Sequence, residues 1–156
     1  KAENMVTVLD EIVWAMNPKH DSTASLASYF CQYAARFLGL AAIACRTDVT
    51  AVEGDYGINS RCRHQLFLAF KEALTNVVRH SGATEVKLRI GLEDGEVRLA
   101  IADNGRGMPD QLSTENMDGV ANMRARVEKL GGRFEITSAP GRGMTLRFHV
   151  PANKVL

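Results

Sequence analysis

The sequence predicts an α+β fold, a two-layer sandwich in which helices cover one face of a mixed, mainly antiparallel sheet. Three stretches with helical periodicity precede the main strand-like runs, and a fourth lies between them. Two alternating runs between residues 86 and 101 are joined by Glu93-Asp94-Gly95, a pattern typical of a β-hairpin. Strands joined by tight turns are antiparallel and need no crossover helix between them. We therefore expect the helices to pack together on one side of the sheet.

Four segments carry the helical signals. The first ends at Asn17-Pro18, and its apolar stripe could pack inside the domain or against a partner helix or subunit. The second begins at the cap residues 21–23 and ends near Gly39. The third covers residues 61–80 and the fourth residues 119–130. The expected apolar positions are Met5, Val8, Leu9, Ile12, Val13 and Met16; Leu26, Tyr29, Phe30, Tyr33 and Phe37; Leu66, Phe70, Leu74 and Val77; Val120, Met123, Val127 and Leu130.

Strands are expected at residues 41–50, in both arms of the hairpin and in the last part of the chain, while residues 55–60 form a turn-rich connection. The last two strands are joined by a turn at residues 139–141. The side chains expected on the buried face are Val86, Leu88, Ile90, Leu92, Val97, Leu99, Ile101, Phe134, Ile136, Leu146, Phe148 and Val150. Charged residues alternate with them, so the other face should be polar: Lys87, Arg89, Arg98 and Arg147.

Composition limits the classes of function. The 156 residues, 46% of them hydrophobic, suit one soluble domain, and a net charge of +1 gives no reason to expect nucleic acid or an anionic membrane as a partner. No apolar run approaches the roughly 20 residues of a membrane span, and no secretory signal is present. The odd, widely spaced Cys31, Cys45 and Cys62 favour reduced thiols in a cytoplasmic protein. The start at Lys1, already in helical pattern, suggests a piece of a longer protein.

Glu72 and Asn76 lie four residues apart in the third helix and therefore face the same way. Magnesium prefers oxygen ligands and usually shares its shell with phosphates and water, so the Asn76 amide oxygen is a candidate ligand. Glu72 could accept a proton or orient a water, and Arg79 and His80 could meet phosphate charge. An isolated pair of this kind is more often a solvated helix face.

A tight turn follows the second arm of the hairpin, at residues 103–107. A carboxylate only accepts hydrogen bonds, so Asp103 suits the exocyclic amino group of adenine. Gly105 and Gly107 would let the backbone approach a flat ligand closely. Each of the three could instead be an ordinary turn residue.

The remaining signals concern phosphate. Gly119 is expected to open the fourth helix, where free N–H groups and the helix dipole favour anions. Arg124 and Arg126 follow within two turns, although most arginines on such a helix serve solubility. Gly141 and Gly143 could belong to a simple hairpin turn. Taken in this order, the motifs favour a nucleotide held by its base at one end and by metal-bound phosphates at the other.

These motifs resemble those of sensor histidine kinases. Residues 70–80 resemble the asparagine box, residues 103–109 and 119–127 the first and second glycine boxes, and residues 139–143 the last. Residues 9–18 are similar to the segment that follows the dimerisation helices in a subfamily with a short lid. The motifs read, in chain order, LDEIVWAMNP, FKEALTNVVRH, DNGRGMP, GVANMRARV and APGRG. The resemblance covers nearly the whole chain.

The resemblance implies the Bergerat ATP-binding fold of the superfamily that also contains gyrase, the mismatch-repair ATPases and the ninety-kilodalton chaperones. It implies that Glu72 acts as base, Asn76 binds Mg²⁺ and Asp103 binds adenine. Residues 110–118 would be the ATP lid, a loop that we expect to be mobile without nucleotide. It also divides the chain into residues 1–18, the end of a helical dimerisation or linker segment, and residues 19–156, the ATP-binding catalytic domain.

Two departures from the family concern the expected nucleotide contacts. Asn122 stands where many relatives have another glycine. Met144 stands where the family usually has a threonine whose hydroxyl helps hold the adenine end, and Thr145 could replace it only through a bulge, so nucleotide affinity could be weaker. The full set of expected contacts is Arg79, His80, Asp103, Gly105, Gly107, Gly119, Asn122, Arg124, Gly141, Gly143 and Thr145.

A phosphoacceptor histidine is not found, because His20, His64, His80 and His149 all lie outside the family's phosphoacceptor motif. The chain is therefore expected to bind ATP and Mg²⁺ and to transfer the γ-phosphate to a histidine on the dimerisation helices of the same parent protein. The phosphate would pass on to a response regulator. We expect a cytoplasmic domain without membrane contact, whether or not the parent protein is membrane-anchored.

Two alternatives remain open. An ATP hydrolase of the same superfamily would use the glutamate to activate water, but such relatives tend to have an acidic residue shortly after the asparagine. This chain has Val77-Val78-Arg79-His80 there, which favours the kinase. A degenerate, non-catalytic nucleotide-binding or interaction module is the second alternative, and Met144 is the residue that supports it.

Overall fold

The computed structural model of the protein describes residues 11–14, 17, 22–50, 56–107, 114–138 and 141–154, with the backbone alone at 114–116 and 153–154. Three α-helices are described, α1 (Thr23–Leu40), α2 (Ser60–Asn76) and α3 (Thr114–Lys129), and a π-helical turn, Val77–Ser81, continues α2. The strands are β1 (Ala44–Thr50), β2 (Tyr56–Gly57), β3 (Glu85–Glu93), β4 (Glu96–Asp103), β5 (Arg133–Ser138), β6 (Met144–Pro151) and β7 (Asn153–Lys154). Ser22 caps α1 and Asn59 caps α2, each accepting a backbone N–H three residues on.

Five strands form one sheet in the order β1-β3-β4-β6-β5. Strand β1 runs parallel to β3, and the other three pairings are antiparallel. Helices α1, α2 and α3 cover one face, so the α+β class, with a mixed and mainly antiparallel sheet, is confirmed. At the β3–β4 hairpin, Asp94 and Gly95 both have positive φ, at 54° and 73°, as a two-residue turn of this hand requires.

The hydrophobic core lies between the sheet and the helices. Aromatic rings of α1 and α2 fill its centre, and Phe30 stacks on Phe70 with ring centroids 4.5 Å apart. The apolar stripe expected on α2 is buried throughout, and so are Val86, Leu88, Ile90, Val97, Leu99 and Ile101 in the hairpin. Helix α2 is buried on more of its circumference than a single stripe requires, because α1 and α3 both pack against it.

The short helical segment at residues 11–14 turns a different side to the core than its apolar stripe predicts. Trp14 is buried and stacks on Tyr29 at 4.0 Å, whereas Ile12 and Val13 are exposed. Glu11 is buried as well, and its carboxylate lies 3.2 Å from Lys71 Nζ. The expectation was therefore wrong for Ile12 and Val13; the rest of the stripe, Met5, Val8, Leu9 and Met16, lies outside the described residues. The proposed domain boundary at residue 18 stays a prediction.

Arg63 is fully buried and connects this segment to the fold. Its guanidinium donates to the carbonyls of Ile58 at 2.8 Å and Asn17 at 3.1 Å and lies over the Trp14 ring. Such contacts offset the cost of burying a charge, because each carbonyl replaces a water that the guanidinium has lost.

Several boundaries differ from the sequence-based expectations. Strand β1 begins at Ala44 because residues 41 and 42 form a turn after α1. Helix α3 begins at Thr114, five residues before the glycine that was expected to open it. The small sheet formed by β2 and β7 was missed, since each strand has two residues and depends on a partner almost a hundred residues away. Among the described helices, none combines the length and apolar character that a bilayer crossing requires.

Truncating Phe70 should show how far stability depends on the aromatic centre. Phe70→Ala removes a fully buried ring and leaves a cavity, so we expect it to lower the free energy of unfolding by about 3–5 kcal/mol. Leu40→Ala is the control, because Leu40 is 86% exposed and its loss should change stability by less than about 0.5 kcal/mol. Urea denaturation of both variants measures the difference; equal effects would contradict the placement of the core.

Candidate functional site

The polar face of α2 carries Glu72 and Asn76 one turn apart, and both side chains are half-buried beneath α3. Helix α3 runs antiparallel to α2 over this face. Gly119 lies beside Glu72 and Asn76 at one end of the contact, and Arg126 donates to Gln65 Oε1 at 2.8 Å at the other. A carboxylate and a carboxamide are therefore brought together between two helices, as their spacing predicts.

Gly119 lies inside α3 and not at its first residue, so the expected free N–H groups at this glycine are not observed. Its role in the structure is steric. A methyl group in place of its hydrogen would lie 2.8 Å from Glu72 Oε1 and 3.7 Å from Asn76 Nδ2. The glycine thus lets the backbone of α3 approach the acidic end of α2 directly.

A π-helical turn, Val77–Ser81, follows Asn76 immediately. π-Helical turns are rare in proteins, and many of those that do occur lie at functional sites. Arg79 and His80 are exposed on this turn, next to the site along the chain. Gly82 then ends the helix in the left-handed conformation, with φ of 65°.

Asp103 is the last residue of β4, and it is buried. One of its carboxylate oxygens accepts a hydrogen bond from the Gly105 N–H at 2.9 Å, and the Met144 N–H also donates to the carboxylate. Burial raises the pKa of Asp103, and these two hydrogen bonds oppose the shift. Since a carboxylate can accept about four hydrogen bonds, acceptor capacity remains for a ligand.

Ser81 connects the two halves of the site. Its carbonyl accepts the Arg106 N–H at 2.9 Å, and a methyl group on Gly105 would lie 2.2 Å from that oxygen. The Ser81 hydroxyl donates to Val77 O at 2.6 Å and accepts the Ala83 N–H. The turn after β4 is thereby attached to the end of the helix that carries Asn76. From the sequence, Ser81 was expected only to end the helix; the Ser-Gly pair signals a helix end but not this contact.

The last glycine motif packs against the same turn. Gly141 N donates to Arg106 O at 2.7 Å. Gly143 has φ of 83°, and a methyl group on it would lie 2.0 Å from the Asp103 carbonyl oxygen. Both glycines therefore meet conformational or steric demands that other residues do not meet.

Asn104 has a structural role that the sequence did not reveal. Its side-chain oxygen accepts the N–H groups of Thr84 and Glu85 at 2.9 and 3.0 Å, and its amide donates to the Thr84 hydroxyl. These bonds fix the turn after β4 to the start of β3, directly beside Asp103.

Two of the expected nucleotide contacts lie away from Glu72 and Asp103, and a third is exposed. Arg124 donates to Phe134 O at 3.2 Å and lies over the Phe134 ring, so its charge points to β5 and away from Glu72. Thr145 pairs with Ala102, and alternation along the strand places it on the sheet face opposite Asp103. Asn122 is exposed on α3. The assignments of Arg124 and Thr145 as nucleotide contacts therefore disagree with their positions, and helix packing and strand register are the reasons.

Met144 is the direct cross-strand neighbour of Asp103 and shares its face, so a thioether occupies the position next to the carboxylate. The expected lid was a loop over residues 110–118. Residues 114–118 are helical instead, and the earlier part of the lid lies outside the described residues.

The sequence profile described as histidine kinase-, DNA gyrase B-, and HSP90-like ATPase matches residues 63–154. The sensor histidine kinase LiaS of Bacillus subtilis is 35% identical over 98 residues, which is 62% of this chain and 27% of LiaS. The sensor protein VraS of Staphylococcus aureus (strain COL) is 33% identical over 100 residues, 64% of this chain and 29% of VraS. The chain thus spans less than a third of the length of these relatives.

Among solved structures, the histidine kinase domain of the blue-light activated histidine kinase from Erythrobacter litoralis EL346 has a similar fold. The TM-score is 0.69 at 22% sequence identity, and the match covers 91% of this chain and 68% of the other.

Alanine substitutions at the two glycines of the last motif should separate backbone strain from collision. Gly141 has positive φ but open space around it, so Gly141→Ala should cost only about 1–2 kcal/mol. Gly143→Ala adds a collision with the Asp103 carbonyl, so we expect a clearly larger loss together with displacement of Asp103. Chemical denaturation of both variants compares them; equal losses would show that Gly143 does not make this close contact.

Proposed function

The chain belongs to the family of histidine kinase-, DNA gyrase B- and HSP90-like ATPases, and on this premise we propose that it is the catalytic ATP-binding domain of a sensor histidine kinase. Its reaction is transfer of the ATP γ-phosphate to a histidine on dimerisation helices of the parent protein. The observation that carries the proposal is the attachment of the buried Asp103 turn, through Ser81, to the helix that carries Glu72 and Asn76. The two attached segments together present Asp103 to the adenine base and Glu72 and Asn76 to the phosphates.

At the base end, the Asp103 carboxylate accepts from the exocyclic amino group of adenine. Two backbone N–H groups already hold the carboxylate, so its direction is set before the ligand arrives. Guanine has a carbonyl at the corresponding position, and two facing acceptors repel, so the site favours adenine. Gly105 and Gly107 after β4 and Gly141 and Gly143 before β6 add no side chains to the neighbouring backbone, and Met144 is the side chain directly beside the carboxylate.

At the phosphate end, the residues fit Mg²⁺ that arrives with the nucleotide. Asn76 contributes one amide oxygen and Glu72 a nearby carboxylate. Within the described residues there is no group of three or more His, Cys, Asp or Glu side chains suited to hold a metal by themselves. A site with few protein ligands suits Mg²⁺, because this ion usually retains water and phosphate oxygens in its coordination shell. Bound there, Mg²⁺ would neutralise phosphate charge, and Arg79 and His80 add cationic or donor groups nearby.

Glu72 is the proposed general base. It faces the same way as Asn76, so it lies at the phosphate end and not at the adenine end. It would accept the proton of the incoming histidine nitrogen as that nitrogen attacks the γ-phosphorus in line, while the bond from the γ-phosphorus to the β,γ-bridging oxygen breaks and ADP leaves. Val77 and Val78 follow Asn76 where hydrolytic relatives tend to have an acidic residue, which supports transfer to histidine over hydrolysis.

The first part of helix α3 has to move when phosphates bind. Gly119 packs directly on the Glu72 carboxylate, so the groups proposed to face metal and phosphate are covered by the first part of α3. We expect the residues before Gly119 to leave the helix or move aside, which would free N–H groups at Gly119 for phosphate.

The partners follow from the same proposal. Residues 1–18 would continue into dimerisation helices that carry the phosphoacceptor, and the phosphate would pass to a response regulator. The sensor kinases LiaS and VraS support this assignment, and the domain would act in the cytoplasm.

Calorimetric titration with a non-hydrolysable ATP analogue, with and without Mg²⁺, tests the proposal. We expect Mg²⁺-dependent binding that Asp103→Asn weakens by about tenfold or more, because the amide presents a donor where adenine offers one. Asp48→Asn is the control, since Asp48 is exposed on the opposite sheet face. Binding that is absent in the unmodified protein would favour the non-catalytic module, for which the apolar Met144 beside Asp103 is the supporting observation.

Asp103→Asn should also change how the stability of the domain depends on pH. Because the pKa of Asp103 is raised in the fold, the folded state binds more protons than the unfolded state between the ordinary Asp pKa and the raised value. This contribution to stability is therefore lost as pH rises through that window, and Asp103→Asn should remove this part of the pH dependence without destabilising the domain at neutral pH. A pH series of thermal unfolding checks this; a variant markedly less stable at pH 7 would contradict it.

Glu72→Gln should separate binding from transfer. The amide keeps the size of the side chain but cannot take a proton, so nucleotide affinity should stay within about twofold while phosphorylation of separately supplied dimerisation helices falls by about a hundredfold or more. Glu128→Gln is the matched control, because Glu128 is exposed on α3. Transfer of radiolabel to the helices and release of inorganic phosphate from ATP are measured together. If the unmodified protein released phosphate without transferring it, and Glu72→Gln lost that release, the protein would instead be a hydrolase.

A further inference from the structure

The sheet face that none of the described helices covers, here called the open face, has a depression at its centre. Ala100 and Ala102 lie on this face of the central strand β4, between Arg89 and Lys87 of β3 on one side and Arg147 and Thr145 of β6 on the other, so small side chains form the floor. Longer side chains on both sides rise around a depression of about 590 Å³ whose lining includes Arg89, Ala100 and Arg147. A face that served only for solubility would not need small residues along its central strand.

Arginines at one end of the open face are paired closely with carboxylates. At the β3–β4 hairpin end, Arg98 lies 2.9 Å from Glu93 and 3.4 Å from both Asp94 and Glu96. Arg133 also approaches Glu96, at 3.6 Å. The cations at this end are therefore neutralised by carboxylates of the same face.

The centre of the face differs, because two of its three cations make no ion pair with any described residue. Arg89 and Arg147 lie on either side of Ala100 in the strand register, and Lys87 lies two residues from Arg89 on the same side of β3. These three residues are called the cationic patch. Among the described residues no carboxylate lies within ion-pair distance of Lys87 or Arg147, and Arg147 donates only to the Thr137 hydroxyl.

The carboxylates near the patch are paired with other cations or are exposed. Glu85, two residues from Lys87 on the same side of β3, pairs with Arg46, and the carboxylate of Glu135, the cross-strand neighbour of Arg147, lies 3.5 Å from His149 Nε2. Asp48 Oδ2 lies 3.7 Å from Arg89 Nε, and the two side chains are 57% and 72% exposed. Exposed pairs of this kind are worth about 0–1 kcal/mol, so an incoming carboxylate can compete for Arg89.

We propose that the open face is a docking surface for an acidic segment of a protein partner, whose carboxylates bind Arg89, Arg147 and Lys87 above the Ala100–Ala102 floor. The spacing of the patch supports a chain segment. Arg89 and Arg147 are two strands apart, roughly 10 Å, and Lys87 and Arg89 are roughly 7 Å apart along one strand. Carboxylates at alternate positions of an extended segment have a spacing of roughly 7 Å and match the second pair.

The shape of the patch favours a segment over a small anion. The depression is open to solvent and its cations are spread, whereas a single phosphate is best held by donors that converge on it. Arginine also binds carboxylates with two parallel hydrogen bonds, which suits Asp and Glu side chains. The proposal does not depend on the nucleotide site, because Asp103 and the Glu72 face of α2 lie on the other side of the sheet.

The test uses a fluorescent peptide of alternating glutamate and serine, with a glutamine–serine peptide as the uncharged comparison. Arg89→Glu with Arg147→Glu reverses two charges of the patch. The control is Arg36→Glu with Arg61→Glu, which makes the same change in net charge at two exposed arginines on α1 and α2. Arg89→Gln with Arg147→Gln removes both charges without introducing new ones, in case the charge reversal impairs folding.

We expect salt-sensitive binding of the glutamate peptide, a loss of about tenfold or more in both patch variants, and a change of less than about twofold in the control. Binding of the ATP analogue should be unchanged in the patch variants. Three results would overturn the proposal: no binding by the unmodified protein, equal loss in patch and control variants, or inorganic phosphate displacing the peptide at matched ionic strength while chloride does not.

Discussion

The contact between the Ser81 carbonyl and the turn after β4 holds the site together. It joins a helix end to a strand end through one hydrogen bond, to Arg106 N–H, and one close approach, to Gly105. Asp103 lies just before that turn and Asn76 just before the π-helical turn, so their separation depends on this contact. Asn104 supports it from the side of β3. Distant parts of the chain can bind the base and the phosphates of one nucleotide only if those parts are fixed relative to each other.

Glycine serves this site mainly through close approach. Gly105, Gly119 and Gly143 face Ser81 O, the Glu72 carboxylate and Asp103 O, respectively, at distances that exclude a side chain. In each case a backbone segment approaches a polar group that the proposed chemistry uses or that positions such a group. The glycine motifs therefore describe contacts between neighbouring segments of the domain as well as room for a ligand.

Helix α2 couples this site to the rest of the domain. One side carries Phe67 and Phe70 into the aromatic core, another carries Lys71 to Glu11, and a third presents Glu72 and Asn76 to α3. A helix held on three sides has little freedom to rotate, so the directions of its polar side chains are set by packing. The sheet contributes two independent surfaces, one that supports α2 and one with the cationic patch.

Local patterns alone determined the α+β class, the polar pair Glu72 and Asn76, the hairpin turn at Asp94-Gly95 and the alternation of buried and charged residues, because period and turn chemistry act over a few residues. Only the tertiary structure decided that Arg124 contacts β5 and which sheet face Thr145 occupies. It also placed Gly119 inside α3 and Ile12 and Val13 at the surface. Those outcomes depend on helix packing, strand register and contacts between residues far apart in the chain, and such contacts leave no periodic signal in the sequence.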